Sequence, residues 1–186
     1  MAGSLRETAV VFSGGTDSTC AAALAAEQHD RVHLLTYWEI ATAKTIAPSR
    51  NIDKLRERFT AVEFVAHFLP VDPLVRHFSY DRYWSTFRRH KALVLATPGY
   101  SSLSWHTRTI LYCLEHKLTS VSDGLTRELM HFPGHMTEVI ELFRELYRSF
   151  GIEYTNPVRD WDVPPDRKST RLNSSHMSES RMPSSA

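Results

Sequence analysis

The chain has 186 residues, 42% of them hydrophobic and 23% charged, which suits one globular core and is short for two. A net charge of +1 with no basic block gives no support for tight sequence-independent nucleic-acid binding, although a local patch stays open. The N-terminus lacks a basic segment followed by a long apolar run, no stretch approaches the roughly 20 apolar residues of a membrane span, and Cys20 and Cys113 stand far apart in apolar surroundings. The expectation is a cytoplasmic protein with neither a disulfide framework nor a closed metal site.

In chain order, Thr8 to Phe12 is a short apolar run that stops at Ser13-Gly14-Gly15, and the Ala-rich stretch Asp17 to Gln28 is made of good helix formers. Arg31 to Tyr37 reads as a second buried strand, Ser49 to Phe59 as a charged amphipathic helix, and Val62 to Leu69 as a third strand. Pro70 to Thr97 is an aromatic and basic helical stretch carrying Arg76, Tyr80, Arg82, Trp84, Phe87, Arg88 and Arg89, ended by Pro98-Gly99. Ser104 to His116 follows as helix, Leu118 to Val121 as a fourth strand, Gly134 to Phe150 as an amphipathic helix capped by Gly151, and Ile152 to Thr155 as a fifth strand. This alternation predicts an α/β fold: a parallel sheet with helices on both faces, a Rossmann-like three-layer sandwich that binds ligands at the carboxyl ends of its strands.

The chemistry concentrates at Ser13-Gly14-Gly15-Thr16-Asp17-Ser18. A loop that leaves a strand and opens a helix gathers backbone N–H groups at the positive end of the helix, where they can bond phosphate oxygens. Gly14 and Gly15 can take positive φ and admit a phosphate close to the backbone, and the hydroxyls of Ser13, Ser18 and Thr19 add donors. Asp17 would repel phosphate unless a cation sat between them, and Mg²⁺, which commonly takes one carboxylate plus phosphate oxygens, is the natural one. Neither a P-loop lysine nor a G-x-G-x-x-G dinucleotide motif is present.

SGGTDS directly after an apolar strand resembles the S-G-G-x-D-S signature of the PP-loop ATP pyrophosphatases, whose domain is of the adenine nucleotide alpha-hydrolase-like type. The resemblance implies that the loop holds the β and γ phosphates of ATP as the leaving pyrophosphate, so that the acceptor receives AMP. It implies an ATP-dependent ligase using ATP and Mg²⁺, with Ser13 and Asp17 catalytic and Ser13, Gly14, Gly15, Thr16, Asp17, Ser18 and Thr19 on the phosphates. Adenine is implied against Val11, Phe12, Thr36 and Tyr37, and a second phosphate-side loop against Ser122 to Glu128, with Gly124 and Thr126 on the nucleotide and Glu128 as a second Mg²⁺ ligand or merely a helix-dipole partner.

Beyond the loop, Thr8 to Val158 is most similar to the 7-cyano-7-deazaguanine synthase branch of queuosine precursor synthesis: VVFSGGTDST, Pro98-Gly99, and His131-Phe132-Pro133-Gly134 ahead of a helix ending in FGIEYTNPV carry the likeness. Two stretches depart from it, Tyr100-Ser101 standing in place of the family's Arg-Asn and Phe132-Pro133-Gly134-His135 in place of its Tyr-Pro-Asp-Cys. The implied acceptor is a 7-carboxy-7-deazaguanine-like carboxylate, with ammonia as the second substrate. His106, Arg108, His131 and His135 are candidate substrate residues, each weighed against a surface or core role, and Arg108 can instead pair with Glu115. The alternatives are a PP-loop tRNA-modifying enzyme of the thiolase or lysidine synthase type, with tRNA as partner, and a non-catalytic nucleotide-binding module. Whether the chain acts as monomer or homodimer is left open.

Asp166 to Ala186 has seven serines in 21 residues and no apolar periodicity, so it reads as disordered. Its string DRKSTRLNSSH matches, codon for codon, a translated short-read sequencing adapter, which Met177 to Ala186 continues in frame. The expectation is therefore an ATP-binding domain over residues 1–165, an artefactual tail, and a natural protein that continues where the family's four-cysteine zinc site lies.

Overall fold

The computed structural model describes residues 5–39, 49–91, 97–129 and 131–161. The tail lies outside them. Five strands, β1 (Glu7–Val11), β2 (Arg31–Trp38), β3 (Glu63–Pro70), β4 (Ser120–Asp123) and β5 (Glu153–Thr155), alternate with helices α1 (Thr16–Ala26), α2 (Ser49–Arg58), α3 (Asp72–Phe78), α4 (Tyr83–His90), α5 (Thr97–His116) and α6 (Thr137–Ser149). All four strand pairings are parallel, in the order β3-β2-β1-β4-β5.

Side chains alternate across each strand, so β1 feeds two cores at once. Val10 and Phe12 pack with Ala21, Ala22 and Ala25 of α1 and Ile52 and Leu55 of α2 on one face. Ala9 packs with Ile110 and Cys113 of α5 and Ile140, Phe143 and Tyr147 of α6 on the other. The alanines are what let α1 lie close to the sheet, and the result is the expected three-layer α/β sandwich. At about 25 cal/mol per Å² of apolar surface buried, these two layers supply most of the drive to fold. Among the described residues no helix is long and apolar enough to cross a membrane, and both cysteines are free.

Three boundaries differ from expectation. Pro98 and Gly99 do not end a helix; they lie in the first turn of α5, where a proline's fixed φ is helical and its missing N–H would have had no partner. β4 starts two residues late because α5 closes with Lys117 left-handed (φ 57°) and the Leu118 N–H on the Cys113 carbonyl, a Schellman turn that uses up the start of the apolar run. Pro133 turns Pro133–His135 into a separate 3₁₀ turn ahead of α6. The aromatic and basic stretch is also broken, into α3, a 3₁₀ turn (Tyr80–Arg82) and α4, and α4 buries none of its residues, so it does not pack on the sheet.

Candidate functional site

The chain order of the strands creates the site. From β1 the chain moves outward through β2 and β3, then returns across β1 to form β4, so the connections after β1 and β4 diverge. In open parallel sheets such a switch point leaves a crevice at the carboxyl ends, where ligands bind. Val11, the last residue of β1, is level with Asp123, the last of β4. The glycine loop and Gly124 therefore leave the sheet side by side.

Gly14 has φ 76°, the left-handed region that a residue with a Cβ rarely adopts. Gly15 does not share it: at φ −76° and ψ 173° it is the extended N-cap of α1, and no side chain caps the helix there. Leaving the first-turn amides without a side-chain cap is what makes a helix start available to an anion. The hydroxyls are partly spent on the loop itself. Thr19 donates to the Gly15 carbonyl at 2.7 Å and Ser18 lies 3.1 Å from that carbonyl and 3.1 Å from Ser13 Oγ. Ser13, Thr16 and Asp17 remain exposed or half-buried at the mouth, while Ser18 is buried. Asn51 of α2, which no motif singles out, donates its side-chain amide to the Gly14 carbonyl at 2.7 Å and fixes the left-handed turn from 37 residues away.

The second loop touches the first. A Cβ on Gly124 would lie 2.5 Å from the Ser18 amide nitrogen, so the β4 loop rests on the opening turn of α1 through backbone alone. Thr126 is buried beside it, whereas Glu128 is exposed on the 3₁₀ turn Arg127–Leu129.

Beneath these loops lies a polar inlay. Asp123 is 5% exposed and accepts a hydrogen bond from the Tyr154 hydroxyl at 3.1 Å; burial pushes its carboxyl up to about 7, against the opposing Tyr154 and Gly124 hydrogen bonds. His106 Nε2 lies 3.9 Å from Asp123 and Nδ1 3.1 Å from the Tyr147 hydroxyl; burial pushes this imidazole down to about 3. Near neutrality His106 is therefore uncharged, and the contact is no ion pair. The raised Asp123 stabilises the fold below its ordinary 3.8, and that contribution is lost as pH rises through about 7. The depressed His106 acts oppositely, stabilising above its ordinary 6.5 and losing that as pH falls through about 3. Asp123→Asn keeps the acceptor for Tyr154 and removes the charge. It should raise the unfolding free energy at pH 8 by on the order of 2–4 kcal/mol and by less than half as much at pH 5, about one unit above the ordinary value, as read by urea denaturation at the two values. A gain of equal size at both would show that the carboxyl ionises normally.

The other expected residues separate. The Thr36 hydroxyl donates to the Phe12 carbonyl at 2.8 Å and ties the ends of β1 and β2 together where adenine was expected. The Tyr37 hydroxyl is bonded to Thr109 and its ring stacks on Trp105, so this side chain faces α5. His106 is 4% exposed, with its ring 3.8 Å from that of Phe143; its place is in the core. Arg108 pairs with Glu115 at 3.5 Å, toward the far end of α5. His131 is exposed against Phe132. Only His135 among the four is coupled to the glycine loop: burial holds its half-buried imidazole below the ordinary range, against a hydrogen bond with the Thr126 backbone and the charge of Asp17, and its Nδ1 is buried with no hydrogen-bond partner. Two open grooves, one flanked by Arg144, Arg148 and Glu153 and the other by Arg6, His29 and Lys117, lie at the opposite, amino end of the sheet.

No family model matches the chain, and no curated protein matches it. Among solved structures, a predicted subunit of tRNA methyltransferase from Methanocaldococcus jannaschii is similar over 92% of this chain and 75% of its own, at 18% identity and a TM-score of 0.47. A protein from Pyrococcus horikoshii Ot3 is similar over 91% of this chain and 41% of its own, at 12% identity and a TM-score of 0.42. A bulky-bulky ketone specific alcohol dehydrogenase from Comamonas testosteroni is similar over 98% of both chains, at 9% identity and a TM-score of 0.41. Similarities of this size leave the chemistry to the chain's own residues.

Proposed function

We propose that this chain binds ATP at the β1/β4 switch point and transfers AMP to an acceptor carboxylate with release of pyrophosphate, in the manner of the 7-cyano-7-deazaguanine synthases it resembles in sequence. The observation that supports this is the glycine-capped start of α1, open at the switch point, with Asp17 in its first turn. The amides of the loop would receive the β and γ phosphates, and the left-handed Gly14, fixed by Asn51, sets their direction. Among the described residues no group of three or more His, Cys, Asp or Glu could hold a metal by itself. The single carboxylate of Asp17 fits an ion that shares its coordination with phosphate oxygens, as Mg²⁺ does. When bound, Mg²⁺ supplies charge neutralisation on the leaving pyrophosphate.

The acceptor oxygen attacks the α-phosphorus as the bond to the bridging oxygen breaks, so pyrophosphate leaves and an acyl adenylate forms. Ammonia displaces AMP to give an amide. A second ATP activates the amide oxygen in the same way, and loss of AMP and two protons leaves the nitrile. No side-chain nucleophile enters; the chain's residues position and neutralise charge. His135, with an unpartnered Nδ1 and a ring coupled to the charge of Asp17, is the candidate contact for the acceptor or for the leaving AMP.

The test is pyrophosphate release from ATP and Mg²⁺ by the full chain, with and without 7-carboxy-7-deazaguanine and ammonia. Release that depends on the carboxylate supports the proposal. ATP binding without release in its presence would overturn the acceptor and leave a tRNA-modifying enzyme or a nucleotide-binding module.

A further inference from the structure

We propose that the segment from Tyr80 to Lys91 is a binding surface for unpaired RNA, placed at the same end of the sheet as the glycine loop. α3 leaves the carboxyl end of β3, where the Val71 N–H bonds the Trp38 carbonyl, and α4 follows after one 3₁₀ turn. The proposed ATP site lies at the carboxyl ends of β1 and β4, with β2 between β1 and β3. This goes beyond the adenylation reading and does not depend on it.

α4 buries none of its residues, and together with the turn before it holds four exposed aromatic rings. Trp84 is 66% exposed, Tyr80 76%, Tyr83 42% and Phe87 39%. Within α4, Trp84 and Phe87 stand three positions apart on one face, with Tyr80 on the turn before the helix and Lys91 at its left-handed C-cap. The rings also order one another: Tyr83 meets Trp84 at 5.3 Å and 85°, and Phe87 meets it at 6.3 Å and 87°. Edge-on neighbours of this kind hold an indole in place without covering both its faces. Four cations, Arg82, Arg88, Arg89 and Lys91, lie in the same segment against one acid, Asp81, which is engaged by Arg76 at 3.4 Å. Among the described residues no ion pair neutralises those four.

The charge decides between occupants. A second copy docking on this face would oppose four cations with four more. A lipid surface is held by a long amphipathic helix, often of roughly 20–30 residues, and α4 has 8. Exposed aromatic faces interleaved with guanidinium groups fit an unpaired strand, whose bases stack on the rings while its phosphates meet the cations. Unpaired, splayed bases are the ordinary state of RNA loops and ends, whereas DNA holds its bases inside a duplex.

The experiment is fluorescence anisotropy of the full chain with a labelled 12-nucleotide oligo(U), without ATP, across a salt series. Contact with four phosphates predicts a slope of log K on log salt near about −3. Trp84→Ala should weaken binding about tenfold and Trp84→Phe much less. Arg88→Glu with Arg89→Glu should lower the slope by about 1.4. Because all three positions are exposed, the variants should keep wild-type circular dichroism. Four results would each overturn the proposal: no binding at 50 mM salt (about the low end of the useful range), Trp84→Ala binding as wild type, duplex RNA binding as tightly as oligo(U), or a concentration-dependent dimer that Trp84→Ala abolishes. A failure of pyrophosphate release would leave all of these readouts unchanged.

Discussion

Asp17→Ala is expected to lower acceptor-dependent pyrophosphate release by about 10²–10³-fold, the usual consequence of removing one preorganised group that neutralises developing charge. A carboxylate in the first turn of a helix has an ordinary reason to be there, since it complements the helix dipole by about 0.3–1 kcal/mol. If that were its whole role, Asp17→Ala would lower the unfolding midpoint by about 1–4 °C and leave the rate alone. The two roles separate on Asp17→Asn, which preserves shape and removes the charge. A cation-binding role predicts that Asp17→Asn loses activity like the alanine variant and that added Mg²⁺ partly restores either one. An asparagine variant with wild-type turnover would refute the assigned role of the carboxylate.

Gly124→Ala should damage the protein more broadly. Its Cβ would stand 2.5 Å from the Ser18 nitrogen, 2.7 Å from the Asp17 carbonyl carbon and 2.7 Å from the Ser18 Cα, all backbone atoms that cannot rotate away. Something must shift, either the β4 loop or the start of α1, and each belongs to the phosphate site. Overpacking of this kind costs about 1–3 kcal/mol, and a displacement near 1 Å at a reacting centre costs about 10²-fold in rate. Thermal unfolding and ATP titration by calorimetry should both register the change. Gly99→Ala is the control: it sits in the helix α5 with nothing within 4 Å of its Cβ, so alanine there should be neutral or stabilising by about 0.5–1 kcal/mol. Equal behaviour of the two variants would mean that Gly124 does not make the contact between the loops.

Much of the fold was legible because it is local. The apolar run before Ser13 and the alanines after Asp17 each carry their own period, and a strand, a glycine turn and a helix follow without long-range information. Where the reading slipped, a local signal had two meanings. Pro98-Gly99 serves as a terminator or as a helix start, and only the chain before it decides which. The apolar run from Leu118 serves as strand or as the capping contact of the preceding helix, and here it is divided between them.

The aromatic and basic segment shows a different limit. Its periodicity is that of an amphipathic helix, for which burial on the sheet is the ordinary outcome. The break after α3 carries α4 clear of the sheet, and no property of the segment itself announces that.

By itself the sequence determined the alternation of strands and helices and the left-handed, glycine-built turn at the end of β1, since both follow from side-chain period and the steric freedom of single residues. The tertiary structure alone decided which strands are neighbours. The order β3-β2-β1-β4-β5 sets Asp123 level with Val11, lays Gly124 on Ser18, brings the Asn51 amide to the Gly14 carbonyl and sinks His106 under the loops. Those contacts join residues separated by tens to more than a hundred positions. Their partners are fixed by how two hydrophobic faces are covered at once, a property of the whole sheet that no short window of sequence contains.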